Sequence, residues 1–309
     1  MLLRRLGLLG VAFASIAALS VPVASASAAP ARPARLVLTV SGAVADPAAY
    51  TMAQLAALPT ETVPLPDGHH TVLATGVSLD LLVTTASPVL PAVKNALLRV
   101  IVTASGPGGR PVSFALGELD PNFGDHDAVV VLSVNGRQLP AGPALAVPGD
   151  RVPVRDLPVV SHIRVGVTNP VVTVPPSAGA LVVQDGSRTV VLSAATLAGL
   201  PQESKTVTFL AGTGSQTHTE TGPTLTSVLR AAHIRQGLDT WVAAVGSDGY
   251  VATVTPAEAW AGGRPLLISL IEDGTPLAAP RLVTDGDIKG GRYVSGVYDL
   301  VVGHGAPTS

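Results

Sequence analysis

The triplet Gly-Gly-Arg occurs three times, at 108–110, 262–264 and 290–292. Paired glycines let backbone N–H groups approach a ligand closely, and the planar Arg fork suits phosphate or carboxylate. With Lys289 beside it and Arg281 nearby in sequence, the third triplet has the makings of an anion site. The competing reading is a tight turn with an exposed Arg. His69 and His70 are adjacent, and in an extended segment they point to opposite faces, which favours a polar loop over a metal pair. His218 reads the same way. The stretch "DPNFGDHD" at 120–127 gathers oxygen ligands of the kind hard cations prefer, but its spacing is not that of an EF-hand and it reads as a solvated turn. There is no Gly-x-Ser-x-Gly elbow, no His-Glu-x-x-His and no Walker phosphate loop. The chain has no Cys, which excludes disulfides, thiolate metal sites and Cys nucleophiles.

The elements that would carry these residues are written twice. An apolar strand, "RLVLTVSG" or "RTVVLS", precedes a short helix ending in Leu-Pro, "TMAQLAALP" or "SAATLAGLP". Thr51 and Gln54 have capping-box spacing. A Thr-Gly phrase follows, "TGVSLDLL" at 75–82 and "TGPTLTSVL" at 221–229, with Ser78 and Thr224 as expected N-caps of amphipathic helices. Next come a strand, a Gly-rich turn and a segment reaching Glu118 or Glu258. In "TPAEAW" Thr255 is the expected cap, Pro256 the first helical residue and Glu258 the third. Each half closes with an apolar strand, a Gly-Asp loop, an Arg and a last strand. Between the halves "NPVVTVPPSAG", at 169–179, reads as a linker whose prolines limit helix and strand.

The 309 residues are 47% hydrophobic and 13% charged, a length suited to roughly two domains. Arg4 and Arg5, the apolar run "LGLLGVAFASIAAL" at 6–19 and the small residues after it read as a secretory signal peptide over 1–28. Without it the chain has 17 basic residues against 21 acidic ones, which argues against a nucleic-acid surface. No apolar run after residue 30 approaches the ~20 residues of a membrane span.

The order of landmarks resembles the molybdopterin-binding domain of the sulfite-oxidase type. The run is Leu-Pro, Thr-Gly-Val-Ser-Leu-x-x-Leu-Leu, "SDGY" at 247–250, "EDGTPL" at 272–277, "RLV" at 281–283 and "GDIKGGRYVSGV" at 286–297. The second half carries the better match. The first reads "SGPGGRP" where the Asp-Gly-Tyr turn would be, but keeps "VPGD" at 147–150. In catalytic members of the family a Cys thiolate between Leu-Pro and the Thr-Gly phrase binds molybdenum. Both corresponding segments here lack Cys, so that bond cannot form, and no other residue replaces a soft thiolate closely.

The expected fold class is therefore α+β: two tandem β-rich domains with mixed sheets and short helices, 36–168 and 178–304, joined by 169–177. The resemblance implies a molybdopterin cofactor or another small anionic ligand. Its candidate binding residues are Asp248, Tyr250, Arg281, Lys289, Gly290, Gly291 and Arg292, with no catalytic or metal-ligating residue assigned. The function expected is that of an exported oxidoreductase-like protein without molybdenum–thiolate catalysis, acting as a ligand-binding or interaction module with an envelope protein partner. An active oxidoreductase with atypical cofactor ligation and a non-catalytic subunit of a redox complex stay open beside it.

Overall fold

Short strands alternate with helices of one or two turns throughout the computed structural model, which describes residues 35–174 and 177–307. The expected signal peptide, and Pro175 and Pro176 of the linker, lie outside the described residues. The first half runs β1 (Leu36–Gly42), β2 (Ala48–Thr51), α1 (Met52–Ala56), β3 (Glu61–Asp67), β4 (His70–Ser78), α2 (Leu79–Thr85), β5 (Val100–Ser105), β6 (Val112–Ala115) and α3 (Leu116–Leu119). It ends with β7 (Val129–Val134), β8 (Arg137–Gln138), β9 (Ala144–Ala146) and β10 (His162–Val167). The second half runs β11 (Leu181–Asp185), β12 (Arg188–Leu192), α4 (Ala194–Ala198), β13 (Gln202–Ala211), β14 (Gly214–Pro223), α5 (Leu225–Ala231), β15 (Thr240–Gly246) and β16 (Val251–Val254). It ends with α6 (Pro256–Trp260), β17 (Leu266–Glu272), β18 (Thr275–Thr284) and β19 (Val297–His304).

The architecture is mixed α+β, dominated by sheets. One five-stranded sheet has the order β2-β1-β10-β5-β6 and another the order β12-β11-β19-β15-β16. In each, the first strand of the half runs parallel to its last, β1 with β10 and β11 with β19, and the other neighbours are antiparallel. Two further sheets are built on the hairpins β3-β4 and β13-β14, which pair onward to β7 and β17. Apolar side chains from the first half form one core around Val77, Leu82, Phe114 and Ile163. Those of the second form another around Val183, Leu229, Ile268 and Leu300, which also takes in Leu98. A third cluster bridges them, with Ile101 and Ala115 against Trp241, Ala243, Val245 and Val251. No helix among the described residues is long and apolar enough to cross a membrane.

The repeated Thr-Gly phrase has a packing cause. A Cβ on Gly76 would lie 2.3 Å from the carbonyl oxygen of Val130, and one on Gly222 would lie 2.1 Å from that of Ile268. Only Gly lets β4 and β14 come this close to the next strand before the chain turns into α2 or α5. Ser78 and Thr224 then accept the N–H groups of Leu81 and Ser227, as N-caps. Thr51 and Gln54 make both bonds of the capping box.

The segments between Leu-Pro and Thr-Gly add elements that the order expected from sequence lacks: each is a β-hairpin, β3-β4 and β13-β14. Pro64 and Pro66 lie on β3, an edge strand, which tolerates Pro where no partner needs its N–H. Thr255 stands at the N-cap of α6 without capping it. Its hydroxyl instead donates to Glu118 Oε2 at 3.3 Å.

Candidate functional site

Strand β6 runs directly into α3, and this turn carries Glu118 into the interior, where it has no exposed surface. After β9 the Gly-Asp loop places Asp150, and a 3₁₀ turn at Pro153–Arg155 brings Arg155 back over both acids. Arg155 donates from Nη1 to Glu118 Oε1 at 2.6 Å, from Nε to Asp150 Oδ2 at 2.8 Å and from Nη2 to Asp150 Oδ1 at 2.6 Å. Its guanidinium lies 5.0 Å from the centroid of the Phe114 ring. His126 Nε2 lies 3.0 Å from Asp150 Oδ1.

The second half builds the same arrangement from the same positions. Strand β16 runs into α6 and buries Glu258; the Gly286-Asp287 loop and a 3₁₀ turn at Gly290–Arg292 supply the partners. Arg292 forks onto Glu258 at 2.8 and 2.7 Å and onto Asp287 at 2.9 and 2.5 Å. Arg264 adds a bond to Asp287 at 3.1 Å, and Thr284 another at 2.8 Å.

The two clusters are locked across the halves. Thr255 of the second bonds Glu118 of the first, and Arg264 donates to the carbonyl of Gly124 at 2.7 Å. Arg151 and Val152 donate their N–H groups to Ala261, and Ile288 donates to Phe123. Each Gly-Asp loop is thus seated on the loop that follows the other half's buried acid. Burial pushes the Glu118 carboxyl up, against the pull of Arg155. Burial pushes Glu258 up too, but the charge of Arg292, its two hydrogen bonds and the charge of Arg264 outweigh it and hold that carboxyl below its ordinary value. The four carboxylates of the clusters are taken up by Arg155, Arg292 and Arg264, while a surface cavity opens beside His126 and Gly149. Their chemistry is that of ion pairs in which Arg155 and Arg292 each bond two carboxylates, the kind of pairing under which buried charges are tolerated.

Among the candidate residues, the fold brings Tyr250 onto the Gly-Gly-Arg loop. Its hydroxyl donates to the carbonyl of Gly291 at 2.5 Å and accepts from Asn95. Asp248 is exposed and caps the N–H of Tyr250 at 3.0 Å. Gly290 and Gly291 face protein. A Cβ on Gly290 would lie 2.5 Å from Phe209 Cδ2, and one on Gly291 would lie 2.2 Å from Phe123 Cε1. The glycine pair makes room for two rings, so the reading that it brings backbone N–H groups to a ligand is corrected. Arg292 is wholly buried between Glu258 and Asp287, which corrects the reading of it as a free loop cation. Arg281 does lie beside the loop, because β18 exchanges backbone bonds with it at Leu282 and Val294. Its charge is matched by Glu220 at 2.8 Å and by Glu272. Lys289 is the exposed cation of the loop, held by the side-chain oxygen of Asn122 at 2.9 Å.

The remaining motifs resolve into local structure. Gly108 takes a turn at φ 65°, with Arg110 exposed. Gly262 approaches the carbonyl oxygen of Glu258, and Gly263 adopts φ 74° against the Arg151 side chain. His69 and His70 are exposed at the tip of the first hairpin, and His218 bonds Asp273 at 2.9 Å. No group of three or more metal-ligating side chains occurs among the described residues. A surface cavity of about 830 Å³ is lined by Asn169, Gln184, Asp185, Trp241 and His304 among others, and by none of the candidate residues. The ion clusters went unread in the sequence, although Glu118 and Glu258 stood out as landmarks. The missed signal is a shared spacing, Asp-x-x-x-x-Arg, at Asp150–Arg155 and Asp287–Arg292.

The residues present do not fit a molybdenum–pterin group at this loop. The chain has no thiol, the glycine pair is filled by Phe123 and Phe209, and Arg292 and Arg281 are paired with carboxylates. No protein-family model matches the chain, and no curated protein matches it. Among solved structures it is similar to the sulfane dehydrogenase SoxCD from Paracoccus pantotrophus, at 15% sequence identity. That match covers 77% of this chain and 76% of the other, with a TM-score of 0.33.

Proposed function

We propose that this chain is an exported, non-catalytic interaction module built from two copies of a domain of the sulfite-oxidase molybdopterin type. The observation that carries the reading is the fate of Arg292, which the resemblance offers to an anionic cofactor. It is fully buried and bonded to Glu258 and Asp287, and Arg155 is held in the same way by Glu118 and Asp150. A buried guanidinium with two carboxylate partners has no charge left for a phosphate, and breaking such a pair is costly. The absence of any Cys supports the same reading on the side of the metal. Export rests on the Arg4-Arg5 pair, the apolar run and the small residues that follow.

The test is metal and pterin analysis of the protein purified from its native host. Neither is expected above background. Stoichiometric molybdenum with a bound pterin would overturn the reading in favour of an oxidoreductase with atypical ligation. Recovery of a stable redox partner by cross-linking in the host would favour the subunit reading.

A further inference from the structure

The two hairpins end their sheets differently. Strand β3 is an edge, and so is β13. Each hairpin turns through two residues, Gly68-His69 between Asp67 and His70, and Gly212-Thr213 between Ala211 and Gly214. In a two-residue hairpin the pair flanking the turn is hydrogen-bonded, and alternate residues behind it turn their N–H and C=O groups outward. On β13 the outward residues are Leu210, Thr208, Thr206 and Ser204. The Leu210 N–H, bonded to the carbonyl of Ile288 outside the hairpin, confirms that phase. On β3 the outward residues are Pro66, Pro64 and Thr62.

The pairs Thr62–Thr75 and Ser204–Thr221, each one residue before the close-packed Gly, set the hairpins in register. Pro64 then corresponds to Thr206 and Pro66 to Thr208. Proline has no N–H, and its presence at outward positions is a recognised guard against strand addition. The first hairpin is guarded at two of its three outward positions. The second carries N–H groups at all of them. Ser204, Thr206 and Thr208 are exposed, and among the described residues only the Leu210 end of this edge is covered, by Ile288 and Lys289.

We infer that the β13 edge is a docking edge for a second copy of this chain, paired antiparallel about Ser204. The phase pairs outward residues with outward residues, so the two-fold is centred on a strand residue, and centring on Glu203 or Lys205 would set like charges opposite each other. Centring on Ser204 places Glu203 of each copy opposite Lys205 of the other, giving two opposite-charge pairs from one self-complementary segment. Centring on Thr206 would instead set Lys205 against Val207 and Glu203 against Phe209. Cross-strand opposite charges stabilise a pairing, so the charge pattern selects the register. Ser204, Thr206 and Thr208 already pair with Thr221, Thr219 and Thr217 along the exposed face, which holds the strand extended. The inference stands on this edge and does not depend on the cofactor reading.

Analytical ultracentrifugation of the full chain over a concentration series tests it. Wild type is expected to dimerise. T206P puts in the second hairpin what Pro64 puts in the first. It should weaken the dimer by at least about tenfold, because each copy loses a donor at the interface. At concentrations where both proteins are monomeric its thermal midpoint should fall only slightly, because the Thr206 N–H has no partner within the chain and only the hydroxyl contact to Thr219 is lost. E203K should weaken the dimer and E203K/K205E should restore it. In a chain without Cys, S204C should give a disulfide-linked dimer on mild oxidation. A monomeric wild type at all concentrations would overturn the inference, whether or not the edge takes up an extended peptide. So would a folded T206P that dimerises as tightly as wild type. If T206P does not fold, failure of the charge reversal to restore association overturns it.

Discussion

Two guanidinium groups at the centre of the molecule each hold a pair of carboxylates, and at this scale the consequences are sharpest. Arg292→Met would leave Glu258 and Asp287 buried without their main counter-charge. A loss of about 3–5 kcal/mol is expected, read by chemical denaturation. Replacing all three residues with an apolar set of matched volume should cost far less, because no unpaired charge is left behind. Away from the clusters, burial pushes the Asp127 carboxyl up to about 7, with Ser78 and the Ala128 N–H opposing. Its native form therefore binds a proton that the unfolded chain releases near the ordinary value of 3.8. That contribution to stability is complete below about pH 4 and is lost as pH rises through about 7. Asp127→Asn should flatten the dependence of thermal midpoint on pH over this window and raise the midpoint at pH 8; equal slopes in the two proteins would sink the argument. Little of this was legible in the sequence. Acids and arginines could be counted, but which Arg meets which acid is set by contacts across 34 and 37 residues, and local pattern carries no such information.

Elements were more legible, because caps and turns are local. Thr51, Ser78 and Thr224 were read as caps from their side-chain chemistry and spacing, and all three accept the expected N–H. Thr255 failed the same reading because a tertiary partner, Glu118, took its hydroxyl. The hairpins were missed because their outer strands are edges, where Pro, Thr and charged residues mask the alternation that marks a half-buried strand. The Gly-Gly-Arg loop was found but given the wrong cause. Gly291→Ala should cost about 1–3 kcal/mol as its Cβ meets the Phe123 ring. Adding Phe123→Ala should remove most of the steric part, which a double-mutant cycle in urea would read as a favourable coupling. Additive losses would show that the ring is not the obstacle.

At the scale of the whole molecule, the two five-stranded sheets have the same path, while the third apolar cluster and the crossed loops join the halves. We expect residues 36–168 and 178–304 to superpose as one fold in an experimental structure; halves with different connectivity would refute this. We also expect one cooperative thermal transition, with calorimetric and van't Hoff enthalpies in agreement. Two resolved transitions would mean that the crossed contacts contribute little. The repeat was readable because strand and helix signals recur in order, whereas the seam between the halves was not, since Ile101 and Ala115 look like any other strand residues. Their placement fixes an order of events in time. A chain that appears N-terminus first displays these two residues long before Trp241, Ala243, Val245 and Val251 arrive to cover them. Until then these two residues lack their cover, so the seam can close only after the fifteenth strand has been made.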